Sequence, residues 1–256
     1  MAVTVSFFDD TSVPEFDEYR EIKHDVFVIE QGWQLPLEPC SRRVAPDPFD
    51  PHSMFVIARA DGRAIGIARA TMIGESFPHA NFFTELMKRP ELEGVRAAVA
   101  TVNAVAVLPP FRGRSVPIKG SASSMTAAKA LMVELTRRLE RDGAEIVLLT
   151  TSPGIAAVFF DHLGFYLLGP PFRSDGRTLI NMGLGVHDAD RFEEIGSPLG
   201  DEAFARGATE AEYRCIEYFR EQAAAVLGAR SMEKFCRREL SGTVDAAGAA
   251  EQAQPR

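Results

Sequence analysis

The stretch from Val105 to Ser115 (VAVLPPFRGRS) runs from an apolar strand through a proline pair into a basic, glycine-containing turn, with an amphipathic helix downstream. Strand, turn and helix in that order suit a phosphate, because exposed turn amides and a helix N-terminus direct their N–H groups at an anion. Arg112, Gly113, Arg114 and Ser115 carry this expectation, since a glycine and cations beside a buried strand serve packing poorly. The three cysteines, Cys40, Cys215 and Cys236, are odd in number and far apart. That fits neither a disulfide framework nor a zinc knuckle, so ordinary reduced thiols and no metal are expected.

These residues need elements to hold them. Phe16, Tyr19, Ile22, Val26 and Phe27 fall at helical spacing, which predicts an opening helix from Phe16 to Val28. Gln31 to Pro51 contains five prolines among acids and two arginines and sustains neither helix nor inner strand. It is expected to be a long loop, and long ordered loops tend to carry function. Two β-rich runs, Ser53 to Ala60 and Arg63 to Thr71, flank Asp61-Gly62, a dipeptide that supplies the positive φ angles of a tight hairpin. A short helix from Pro78 to Leu92 and a doubly buried strand from Ala98 to Val107 follow. A helix from Ser121 to Asp142, ended by Gly143, leads to a strand from Glu145 to Thr151 and a helix from Pro153 to His162. Strands from Phe165 to Leu168 and Thr178 to Val186 close the domain.

Beyond Gly200 the character changes. Thr209 and Glu212 form a capping box for a helix carrying Ile216, Phe219, Ala223 and Val226, and a second helix is expected from Ser231 to Leu240. The two either lid their own core or pair two copies into a homodimer. Residues 241–256 lack an apolar period and are expected to be disordered. The expected division is thus residues 1–190 as one α/β (α+β) domain with a mixed central sheet flanked by helices, 200–240 as a helical extension, and 241–256 as a tail.

A net charge of −8 disfavours a partner gripped along a phosphate backbone, so nucleic acid binding is not expected beyond a local patch. No run of eighteen apolar residues and no charged-then-apolar N-terminal pattern is present. A soluble, cytoplasmic protein without membrane contact is expected.

The residues carry a resemblance. The run VLPPFRGR from Val107 to Arg114 resembles the acyl-donor segment of the GCN5-related N-acetyltransferase (GNAT) superfamily, V-x-P-x-x-R-G-x-G-x-G/A. AAVFFDHLGF from Ala156 to Phe165 resembles its second signature, A-x-x-x-Y-x-x-x-G-F. In the N-terminal half, Val26-Phe27, Gly32-Trp33, Asp47 to Asp50 (DPFD) and Gly66 to Arg69 (GIAR) are similar to the ordered V-F, G-W, D-x-x-D and G-x-x-R of acyl-homoserine-lactone synthases, which share the GNAT fold. There are departures. Ser115 and Pro117 replace two donor-turn glycines, Phe160 replaces the tyrosine, and ATVNA from Ala100 to Ala104 replaces the W-E-L-S-R of the lactone synthases. Lactone synthesis itself is therefore not expected.

The resemblance implies an N-acyltransferase in which an amine attacks a thioester carbonyl. Acyl-CoA or an acyl-phosphopantetheine carrier protein is the donor, held by Val105, Ala106, Val107, Arg112, Gly113, Arg114 and Ser115, with Lys119 adding charge. The acceptor is a small, amino-acid-like amine bound by Phe27, Trp33 and Arg69. Asp47 and Asp50 bind its ammonium and relay its proton, and Tyr166, His162, water or nothing takes the place of the missing tyrosine as proton donor. On residue type alone, the two aspartates are equally solvated loop or capping groups, and Arg69 equally a structural ion-pair partner. The alternatives are a non-catalytic GNAT-like binding module and a transferase taking its acyl group from aminoacyl-tRNA, the latter opposed by the overall acidity.

Overall fold

The computed structural model describes residues 2–73, 77, 80–117, 124–200 and 206–228. Lys119, Cys236, the second C-terminal helix and the tail lie outside them. The chain divides into two compact units, Met1–Ala80 with Ala97–Ala144, and Asn81–Arg96 with Glu145–Arg256.

The first unit is an antiparallel sheet of four strands in sequence order: β1 (Val3–Phe8), β2 (Ser53–Ala60), β3 (Arg63–Met72) and β4 (Val99–Val107). Strand β1 is an addition to the expected order, which opened on a helix. Asp61 and Gly62 take φ angles of 48° and 81°, the hairpin geometry expected of them. Helix α1 (Pro14–Lys23) starts on a proline, which loses no hydrogen bond in a first turn, and carries Glu15 and Asp17 there and Arg20 and Lys23 in its last turn, matching its dipole. It ends five residues before the expected Val28. The chain then widens into a π-helical turn over His24–Glu30, where Gln31 N–H reaches Val26 O at 3.1 Å. Such turns concentrate at functional sites.

Residues on alternate strand positions face opposite sides, so Phe55, Ile57, Ile67 and Ala106 pack with Phe16, Tyr19, Ile22, Val26 and Phe27 of the N-terminal helical segment. The other face takes α3 (Ala127–Arg141), where Leu131 lies 3.0 Å from where a Gly66 side chain would begin. Thr126 caps α3 by accepting from Lys129 N–H. The helix begins at Ala127 because Ser124–Thr126 form a short strand, β6, against β5 (Ser115–Pro117); the expected start at Ser121 lies outside the described residues.

In the second unit, β7 (Ile146–Thr151), β10 (Arg177–Gly185) and β8 (Tyr166–Leu167) pair antiparallel in that order, with β9 (Phe172–Ser174) also on β10. The remaining helical elements are α2 (Ala80–Met87), a 3-10 stretch over Pro90–Ala98, α4 (Pro153–His162), α5 (Ala189–Ile195) and α6 (Glu210–Leu227). The capping box at α6 is half made. Thr209 accepts from Glu212 N–H at 3.1 Å, but the Glu212 carboxylate turns to His187, accepting its backbone N–H at 2.8 Å and meeting its Nδ1 at 2.7 Å. Both side chains are fully buried. Among the described residues no helix is long and apolar enough to cross a membrane.

Candidate active site

The proline-rich loop is pinned to α1. Val44 N–H reaches Arg20 O, and Arg43 pairs with Asp17 at 2.8 Å and with Glu21 at 3.3 Å. Its last residues then fold on themselves: Asp47 accepts from Phe49 N–H at 2.9 Å, and Asp50 accepts from Asp47 N–H at 2.8 Å. This is the local turn chemistry of aspartate. It turns both carboxylates onto Arg69 of β3.

Arg69 Nη1 donates to Asp47 Oδ2 and to Asp50 Oδ1, the latter at 2.5 Å. Its Nε donates to Asn103 Oδ1 at 2.5 Å. Arg69 and Asn103 are register partners on neighbouring strands, so their side chains share the α1 face. Asp50 and Arg69 are buried, and Asp47 remains 30% exposed, which makes it the carboxylate a ligand can reach. Lys23, from the last turn of α1, comes to 3.6 Å from Asp47 Oδ2.

These charges set one another. Burial would raise the Asp47 carboxyl, but Arg69, aided by Lys23 and the Phe49 amide, outweighs it and holds the group below its ordinary value. Burial, reinforced by the Arg69 cation, pulls the Lys23 ammonium down against the pull of Asp47 and Asp50. Burial pushes the Tyr19 phenol well up, with Arg69 opposing. Two polar atoms beside this cluster are buried without a protein partner: Tyr19 Oη and Asn103 Nδ2. A buried unsatisfied donor costs about 1–3 kcal/mol, so neither is neutral to the fold.

Next to Asn103 the β3–β4 ladder slips. Ile67 pairs with Ala106 and Arg69 with Asn103, so β4 carries one extra residue, and Ala104 adopts a left-handed φ of 55°. For alanine that conformation costs roughly 1–2 kcal/mol. The bulge withdraws a backbone group from the ladder immediately before Val105, Ala106 and Val107.

At the donor turn Gly113 has φ +67°, while Arg112 is spent locally. Its Nε donates to Val107 O at 2.6 Å, and its two terminal nitrogens grip Glu30 bidentately, one contact at 2.6 Å. The Arg114 side chain is exposed, and Ser115 pairs with Thr126 in the ribbon. Phe27 and Trp33 pack at 4.5 Å between ring centroids, tilted by 39°, beside the α1 core. Tyr166 belongs to the second unit, where its hydroxyl donates to Asp188 Oδ2 at 2.8 Å, and burial raises its phenol above the ordinary value.

Thus Asp47, Asp50 and Arg69 meet in one cluster, and Lys23, Tyr19, Asn103 and Glu30, none of them expected as a site residue, join them or the donor turn. The signal for Lys23 was its spacing of four from Tyr19 on one helical face; nothing in the sequence marks Glu30. A cavity of about 290 Å³ in the first unit, lined by Phe7, Phe8, His52, Met54 and Met72 among others, includes none of the sequence-derived candidates. Among the described residues no group of His, Cys, Asp and Glu is placed to hold a metal ion.

Solved structures define the fold class: the chain has a GNAT-like fold. It is similar to TofI in a ternary complex with an inhibitor and MTA, at 20% identity and TM-score 0.57, over 77% of this chain and 98% of that one. BjaI, a CoA-dependent acyl-homoserine lactone synthase with SAM and isopentyl-CoA, is similar at 16% identity and TM-score 0.54, over 77% of this chain and 90% of its own. FeeM, an N-acyl amino acid synthase from uncultured soil microbes, follows at 15% identity and TM-score 0.53, over 77% and 98%. No protein-family profile matches the chain, and no curated protein does.

Proposed function

We propose that this protein is an N-acyltransferase that moves an acyl group from a thioester, of coenzyme A or of a carrier-protein phosphopantetheine, to the amine of a small, amino-acid-like acceptor. The observation that carries the proposal is the bulge of β4 at Ala104, adjoining Asn103 and the Asp47–Arg69–Asp50 cluster. An amide freed from a β-ladder is a fixed dipole for a carbonyl oxygen on which charge develops. The carboxylate of Asp47 anchors an ammonium beside it.

The step is direct. The amine nitrogen bonds to the thioester carbon, the C–S bond breaks, the departing sulfur takes a proton and the nitrogen gives one up. Residues Val105, Ala106 and Val107 align the donor, and holding two reactants together supplies much of the acceleration. Because Arg69 keeps Asp47 ionised, Asp47 serves as a charge anchor and a weak base, and the ammonium proton leaves to solvent. Phe27 and Trp33 wall the acceptor side. The thiolate takes its proton from solvent; the Tyr166 hydroxyl, in the second unit, is given to Asp188.

The engagement of Arg112 by Glu30 favours a second reading, a GNAT-like module that binds a partner without turnover, since the principal donor-turn cation is then occupied. Thiol release decides between them. Incubated with a panel of acyl thioesters, an acyltransferase liberates thiol only when an amine is added; a binding module liberates none.

A further inference from the structure

We propose that the cavity of about 290 Å³ in the first unit is a second binding site, for a small aromatic ammonium ion, and that its occupant steadies the turn that carries Asp50. The site does not depend on acyl transfer.

The cavity backs onto the Asp47–Arg69–Asp50 cluster through the sheet. Met54 and Ala70 are register partners on β2 and β3, and Met72 lies two residues further on, so the three share the face covered by α3, while Phe55 and Arg69 take the α1 face. Phe7 of β1 pairs with Val56 and joins the α3 face, and Leu139 of α3 closes the far wall. Two methionines and a phenyl ring make an adaptable apolar lining. A cavity of about 150 Å³ is enough for benzene, so this one takes a ring with a short arm. Its rim selects charge. Arg138, whose guanidinium stands 5.9 Å over the Phe7 ring, donates from Nε to the two Asp142 oxygens at 3.2 and 2.9 Å, so its charge is answered by its own neighbour. The side chains of Asp9 and His52, which also line the cavity, have no hydrogen-bond or ion-pair partner among the described residues. Two carboxylates around one guanidinium leave a negative charge unanswered, which attracts a cation and repels a carboxylate or phosphate. Walls of carbon and sulfur suit an ammonium with an apolar body rather than a hydrated metal ion.

The link to the cluster is the chain itself. Asp50–His52 is a single 3-10 turn: Asp50 is buried against Arg69, and Pro51 and His52 line the cavity. Ser53, next along, donates to Phe49 O at 2.7 Å and sits 2.8 Å from Thr71 Oγ1, which fastens the turn to β3. A body in the cavity restrains that turn from one side as Arg69 does from the other.

The probe is trimethyl(2-phenylethyl)ammonium, whose nitrogen carries no hydrogen and cannot be acylated, titrated calorimetrically into the whole chain. One site is expected, with the cation bound up to about fivefold tighter than 2-phenylethanol, the span of a solvent-exposed ion pair, and with 3-phenylpropionate weaker than either. Added salt narrows the difference. Asp9→Asn is expected to remove the preference for the cation, Met72→Trp to fill the space and abolish binding of all three, and Asp47→Asn to leave binding unchanged. Asp9 is exposed, so its variant folds whether or not Met72→Trp does. Amide hydrogen exchange at Phe49, Asp50 and His52 is expected to slow, up to about tenfold at a probe concentration ten times Kd. No binding to wild type, a cation preference that survives Asp9→Asn, or binding lost in Asp47→Asn overturns the site. Unchanged exchange at the three amides on saturation overturns its coupling to the cluster.

Discussion

Replacing Arg69 by methionine removes the cation on which Asp47 and Asp50 converge while keeping much of its apolar stem. Asp50 is 3% exposed and Asp47 30%, so the carboxylates cannot simply turn to water. Breaking a buried ion pair on one side costs about 3–5 kcal/mol, because the surviving charge is left uncompensated. For a chain of this size each kcal/mol lowers Tm by about 2–4 °C, so Arg69→Met is expected to melt roughly 6–20 °C below wild type. Urea unfolding followed through Trp33, the sole tryptophan, measures the same difference. The deficit depends on pH in a fixed direction. The Asp47 carboxyl of the folded protein lies below its ordinary value, so its ionisation stabilises wild type above about pH 3.9, and that contribution fades as pH falls through the folded value. In the variant a carboxylate without its cation takes up a proton more readily, so the gap narrows between pH 7 and pH 4.5. Arg69→Met/Asp50→Asn, which removes the stranded charge as well, is expected to recover part of the loss. A deficit under about 1 kcal/mol, or one constant with pH, refutes this account of the cluster.

Other consequences are simpler to read. Glu30→Gln frees the Arg112 guanidinium; the exposed pair contributes at most about 1 kcal/mol, so Tm stays within a few degrees while the KM for a phosphate-bearing donor falls, most at low salt. Gly66→Ala places a methyl 3.0 Å from both Ala106 O and Leu131 Cδ1, and is expected to cost about 1–3 kcal/mol by urea unfolding. Glu212→Ala removes the acceptor of two fully buried His187 contacts and is expected to destabilise by about 3–5 kcal/mol in the same assay. Because Asp47 stays ionised and is a weak base, kcat/KM for amine acylation is expected to rise with pH from 6 to 9 as the acceptor sheds its own proton; a maximum near pH 5 contradicts that.

The hairpin, β4, α3 and α4 were legible because period and punctuation agreed: Asp61-Gly62 at the turn, an apolar run interrupted only by Thr101 and Asn103, and the Met125 to Leu139 stripe. β1 was overlooked although Val3, Val5 and Phe7 alternate with Thr4 and Ser6, the period-2 pattern of a half-buried edge strand, here paired with β2. The π-helical turn is likewise a tertiary outcome, set by Gly32 and the packing of Phe27 on Trp33. Within the site, D-x-x-D and Arg69 could be found by their order along the chain. Asn103 could not, since its place opposite Arg69 depends on the register and the bulge of β4. Glu30 was hidden for the same reason: its partner lies 82 residues away. The capping-box pattern at Thr209 and Glu212 held for the threonine and failed for the glutamate, because a buried histidine competed better than an exposed amide.

The most direct measurement is mass spectrometry of the product formed from an acyl thioester and a nitrogen-15-labelled amine. A single species carrying both the acyl chain and the label in a hydroxylamine-resistant amide is the predicted result. Free fatty acid with unmodified amine, or untouched thioester, contradicts the assignment.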